Sequence, residues 1–121
     1  VTAPLAEAIR VLKEGTGLPT SGKVPNPRPS SFLRVVRAGG QRTRAVDHML
    51  LIVECWAPDG PAAEQLAIKV NDILAAAPYT SEAIILWGDG DRGVTIADNP
   101  DPDITTQHRW TVTGPLHCLT F

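Results

Sequence analysis

Three histidines, two cysteines and a cluster of acidic turn residues are the side chains of this 121-residue chain with the means to do chemistry. A nucleophilic enzyme needs a serine or cysteine within reach of a histidine that a third group orients. His48, His108 and His117 each fall inside a strand-like segment and outside any nucleophile motif, so structural roles are expected of them and catalysis is not. Cys55 and Cys118 lack the paired spacing of a metal site and the density of a disulfide scaffold, and are expected to be reduced and buried. The turn Gly88-Asp89-Gly90-Asp91-Arg92-Gly93, with Asp98, Asp101 and Asp103 beyond it, suggests a hard cation such as calcium. The ligand order of a calcium loop, ending on glutamate, is missing, and alternating glycine and aspartate is what a tight hairpin turn requires. Those glycines do not make a phosphate cradle either, because no lysine-serine or lysine-threonine pair follows and the next segment reads as strand. No catalytic residue, metal or cofactor is expected.

The chain is sized for one hydrophobic core, so a single domain over residues 1–121 is expected. With 43% hydrophobic and 20% charged residues it has the composition of an ordinary globular protein. No apolar run approaches the roughly 20 residues of a membrane span, so no membrane partner is expected. Val1-Thr2-Ala3-Pro4 lacks a basic stretch followed by an apolar core, so a secretory signal is not expected. Net charge is −2, which argues against bulk affinity for nucleic acid, but its distribution is uneven. Six basic residues (Lys23, Arg28, Arg34, Arg37, Arg42 and Arg44) and no acidic one lie between Gly15 and Val46. Between Asp47 and Asp103 stand eleven acidic residues against Lys69 and Arg92. Such a subunit is electrically two-sided, and complementary sides favour head-to-tail contact between identical copies.

The elements that position these side chains can be read from periodicity. Pro4 to Glu14 has Leu5, Ala8, Ile9 and Leu12 at helical spacing, with Glu7, Arg10, Lys13 and Glu14 on the other side and Gly15 and Gly17 to stop it. Leu18 to Ser31 holds four prolines and reads as an extended loop. Phe32 to Arg37 and Val46 to Trp56 read as a strand pair turning at Ala38-Gly39-Gly40-Gln41. On the second strand both faces are largely apolar: Met49, Leu51, Val53 and Cys55 point one way, Leu50, Ile52 and Trp56 the other. Either the two helices divide these faces or another subunit covers one. Asp59-Gly60-Pro61 starts the second helix, its expected apolar stripe being Leu66, Val70, Ile73, Leu74 and Ala77, and Pro78 ends it. Ala83 to Trp87, Val94 to Ala97 and Thr105 to Thr113 read as strands, with a break at Gly114-Pro115 and extended chain from Leu116. The expected class is α/β (α+β): a mixed, mainly antiparallel sheet of about four to six strands carrying two main helices.

This order of elements resembles the tail terminator proteins of long-tailed, non-contractile bacteriophages, particularly those of actinobacteria. Residues carrying the resemblance are Pro4-Leu5-Ala6-Glu7-Ala8-Ile9, Arg37-Ala38-Gly39-Gly40, Val53-Glu54-Cys55-Trp56-Ala57, Ala63 to Leu74, and His108-Arg109-Trp110-Thr111-Val112. The resemblance implies a structural virion protein, not an enzyme, whose subunits form a hexameric ring. That ring caps the tail tube, joins it to a head-side connector or stopper protein, and surrounds the channel through which DNA passes. It implies a place in the tail-neck region of the virion, and in the host cytoplasm during assembly. Subunit contact is then expected of Arg37, Arg42, Arg44, Leu50, Ile52, Trp56, Asp89 and Asp91, while Lys23 and Arg28 face either the lumen or a neighbour. The competing readings are another neck component, such as a head-closure protein, and a small metal-binding module using the Asp89 to Asp103 loops.

Overall fold

The computed structural model describes residues 3–89 and 92–120. Along the chain come helix α1 (Pro4–Thr16), strands β1 (Thr20–Ser21), β2 (Phe32–Arg42) and β3 (Val46–Ala57), and helix α2 (Gly60–Ala76). A single 3-10 turn (Ala77–Tyr79) and strands β4 (Ile84–Trp87), β5 (Thr95–Asp98) and β6 (His108–Leu119) complete it. The six strands form one sheet in the order β1-β2-β3-β6-β4, with β5 also paired to β6. Every pairing is antiparallel except the short parallel β1–β2 contact. The fold is α+β, a mainly antiparallel sheet with two helices, as the sequence indicates.

Both helices lie on one face of the sheet. Ala8 and Leu12 of α1, and Ala67, Val70 and Leu74 of α2, join Met49, Leu51, Val53 and Cys55 of β3 in one buried core. The second helix starts as expected, with the Asp59 carboxylate accepting the Ala62 amide at 2.9 Å, and Pro78 falls in the 3-10 turn that closes it. Its buried stripe differs from expectation. Ala63, Ala67, Val70 and Leu74 face the sheet, whereas Leu66 and Ile73 are half-buried at its flanks. Side chains as small as Ala63 and Ala67 let the helix pack close to the strands, which apolarity alone does not reveal.

Two strand ends also depart from the sequence reading. Gly39-Gly40 is not the hairpin turn: β2 runs on to Arg42 through a bulge between Arg37 and Gly39, and the chain reverses at residues 43–45. Gly40 has φ +101°, and a Cβ there would overlap the His48 carbonyl oxygen, so both backbone angle and close approach demand glycine. Gly114-Pro115 does not break the last strand either. The Pro115 carbonyl accepts the Gly88 amide at 2.8 Å, on the side of β6 facing β4 and β5. In an antiparallel strand a residue's N–H and C=O point to the same side, so the missing N–H of Pro115 falls where β4 ends and β5 has not begun. The ladder to β3 loses nothing, and β6 pairs with it over all twelve residues from His108 to Leu119.

Candidate assembly interface

With both helices on one side, the opposite face of the sheet has only what the chain's own loops bring to it. Cross-strand register arranges this face in rows. At one end Phe32, Trp56 and Arg109 lie side by side; next come Arg34, Glu54 and Thr111, then Val36, Ile52 and Thr113. Gly39, Leu50 and Pro115 form the fourth row, and His48, His117 and Leu86 the fifth.

The first two rows are closed within the chain. The Phe32 and Trp56 rings stack with centroids 5.6 Å apart and planes 9° from parallel. Arg28 of the proline-rich loop lies 5.0 Å from the Trp56 ring centroid and Arg109 lies 5.3 Å from it. Gln107 fastens the loop by donating to the carbonyls of Pro29 (2.7 Å) and Ser30 (3.0 Å). Trp56 is thereby only 2% exposed, so this residue, expected at a subunit contact, is covered by its own chain. The Glu54 carboxylate accepts from Arg34 at 2.8 Å and from the Trp56 indole at 3.1 Å. Arg28, expected at a lumen or a neighbour, is the cation stacked on this aromatic pair. Lys23 is exposed, its carbonyl held by the Ser21 hydroxyl.

The remaining rows are open. Leu50 is 37% exposed and Leu86 41%, with Val36, Ile52 and Pro115 half-buried beside them. Leu50 and Ile52, expected at a subunit contact, sit at the centre of this surface. A contiguous apolar surface on a sheet face marks a place for another molecule.

At the edge of the open rows stands a histidine pair. His48 and His117 approach through their Nδ1 atoms at 2.7 Å, with rings edge to face. The other nitrogen of His117, Nε2, lies 3.0 Å from the Gly88 carbonyl and 3.4 Å from an Asp89 carboxylate oxygen. A carbonyl only accepts, so His117 Nε2 carries the proton. In the neutral pair His117 Nδ1 is then the acceptor, and His48 Nδ1 donates to it. Sequence reading placed both histidines in strands; only the β3–β6 register shows that they touch. His108 instead donates from Nε2 to the Asp98 carboxylate at 2.6 Å on the helix side of the sheet.

Charge is less segregated than the sequence blocks imply. Arg34 pairs with Glu54, and Arg37 and Arg42 both pair with Asp47 at 2.8 and 2.9 Å, so three residues of the basic block meet acidic residues of the next strand. Asp47 is 1% exposed, and the Arg37 guanidinium holds its carboxyl below the ordinary value, with Arg42 adding to the effect. Three guanidiniums, those of Arg37, Arg42 and Arg44, still stand against this one carboxylate around the hairpin, and Arg44 is exposed with no ion pair among the described residues. Glu7, expected on the solvent side of α1, is 7% exposed: it accepts from Arg10 and, at 2.5 Å, from the Ser81 hydroxyl. Arg10 holds its carboxyl below the ordinary range despite burial.

The acidic loops are occupied by local contacts. Asp98 bonds His108, the Asp101 carboxylate accepts the Asp103 amide at 2.9 Å, and Asp89 closes its turn by donating its amide to the Arg92 carbonyl. Among the described residues no three histidine, cysteine or carboxylate side chains converge as metal ligands; Asp91 lies outside the described residues. Cys55 and Cys118 are free and buried, pushed up to about 12 and about 11 by burial, so neither is a ready nucleophile at neutral pH.

No protein-family model matches the chain, and no curated protein matches it. Among solved structures, a chain from the virion of a native gene transfer agent particle superposes with a TM-score of 0.61 at 15% identity. The match covers 95% of this chain and 91% of that one. At that identity the likeness is one of fold.

Proposed function

We propose that this chain is a structural subunit of a phage-like virion, a tail terminator whose copies form a ring. The observation that carries the reading is the open half of the sheet, where Leu50 and Leu86 are exposed and Ile52 half-buried on a face that the chain's own helices leave bare. An obligate assembly resembles a core cut in half, and this face has that character. Support comes from the near end-to-end superposition on a virion chain and from the sequence resemblance to tail terminators. In this reading the ring, a hexamer, caps the tail tube, contacts the tube protein on one side and a head-side connector on the other, and lets DNA pass through its lumen.

Sedimentation velocity and negative-stain microscopy of the purified chain, with and without tail tube protein, test the reading. A discrete ring is expected. A chain that stays monomeric at high concentration in both conditions overturns it.

A further inference from the structure

The fifth row of the open sheet face carries two imidazoles that the assembly reading does not use. The Pro115 carbonyl and the Leu119 amide both bond on the β4 side of β6, so His117, midway between them, also turns its backbone groups away from β3. His48 and His117 are therefore a non-hydrogen-bonded pair of the β3–β6 ladder, the kind whose side chains stand closest. Their Nδ1 atoms meet at 2.7 Å.

His117 is held as a metal-ligating histidine is held. Its Nε2 proton faces the Gly88 carbonyl at 3.0 Å and the Asp89 carboxylate at 3.4 Å, which leaves Nδ1 as a lone pair on the side of His48. A carbonyl or carboxylate behind the remote nitrogen fixes the tautomer of a ligating imidazole and raises its basicity. Asp89 also sets a negative charge beside the pair. The second ring needs only small changes. At a tetrahedral zinc with nitrogens about 2.0–2.1 Å away, two ligands stand about 3.3 Å apart, so the two Nδ1 atoms need separate by only about 0.6 Å. His48, half-buried, moves its proton from Nδ1 to Nε2 by way of water. The neutral pair keeps both protons, and two lone pairs then face one cation. The His117 side chain is 15% exposed, so solvent reaches the site.

We infer that His48 and His117 chelate one late first-row divalent cation, of the zinc and copper class, through their Nδ1 atoms, with Asp89 supporting His117 and water filling the other positions. Imidazole donors select these metals, whereas calcium and magnesium take oxygen ligands. Two protein ligands are fewer than the three or four of a catalytic or structural zinc, so the cation exchanges with solvent. The site lies within one chain and stands or falls independently of the ring.

Calorimetric titration of the whole chain with Zn2+ and with Cu2+ tests it. One ion per chain is expected from either, more tightly for copper, and no comparable binding of Mg2+ or Ca2+. His48→Ala and His117→Ala should each lose this binding, Asp89→Ala should weaken it about tenfold, and His108→Ala should keep it. The wild-type chain supplies a reading that no folding defect can confuse: on adding Zn2+, nitrogen-15 spectra should find both Nδ1 atoms metal-bound and both ring protons on Nε2. Its melting temperature should rise with Zn2+. Ring spectra of His48 and His117 that do not change at high Zn2+ overturn the inference and leave the pair a hydrogen bond. Binding that survives in both His48→Ala and His117→Ala, or that depends on His108 instead, overturns it as well.

Discussion

The two faces of β3 are built from similar residues and have opposite fates. Met49, Leu51, Val53 and Cys55 are each 0% exposed beneath the helices, whereas Leu50, in the middle of the same strand, is 37% exposed. The difference teaches that apolarity marks a face for burial without saying by what. On one side the partner is the chain itself; on the other, in the reading proposed above, it is a second copy.

The largest expected effect separates those fates. Leu51→Ala should cost about 2–5 kcal/mol of stability in urea unfolding, through lost burial and the cavity left behind. Leu50→Ala should change stability by no more than about 0.5–1 kcal/mol, because its side chain already reaches water. Equal losses at the two positions would break the comparison.

A second expected effect concerns the charged end of the helix side. Asp47→Ala removes the acceptor of Arg37 and Arg42 and should cost about 1–3 kcal/mol, kept below the value for a fully buried pair because both arginines turn back to water. Asp47 and Glu7 both hold their carboxyls below the ordinary values of 3.8 and 4.5. The unfolded chain therefore binds protons that the folded chain refuses. Their stabilisation is complete above the ordinary carboxylate range and is lost as pH falls through it and below. Melting temperatures of wild type should fall from neutral pH toward pH 3, and those of Asp47→Asn with Glu7→Gln should fall less; parallel curves would remove this account.

Smaller effects sharpen the comparison on the open side. Cys55 should resist thiol reagents until the chain unfolds, since it lies on the covered face with its thiol pushed up to about 12. Nitrogen-15 spectra at neutral pH should find the proton of His48 on Nδ1 and that of His117 on Nε2. The opposite tautomer of His117 would contradict its bond to the Gly88 carbonyl.

Much of the fold was legible because it follows from local chemistry. Asp59 and Pro61 start α2, Pro4 starts α1, and a long apolar, β-branched run marks β3, each a local signal that needs no distant partner. Where reading failed, a remote neighbour had changed the meaning of a residue. Gly39-Gly40 looks like a turn until the close approach of β3 makes it a bulge. Gly114-Pro115 looks like a break until the gap between β4 and β5 receives the proline. Glu7 looks like a solvent residue until Ser81, far along the chain, supplies its hydrogen bond. Of the candidate interface, Leu50 and Ile52 were legible from the doubly apolar strand.

By itself, then, the sequence determined the set of elements, the sheet-and-two-helix class and the presence of a strand with more apolar face than two helices need cover. Local propensity and periodicity suffice for those, since they act over a few residues. Only the tertiary structure decided that both helices share one face, that Arg28 and Arg109 close over Trp56, and that His48 meets His117. Each of those outcomes depends on register and packing between segments tens of residues apart, where no local signal reaches.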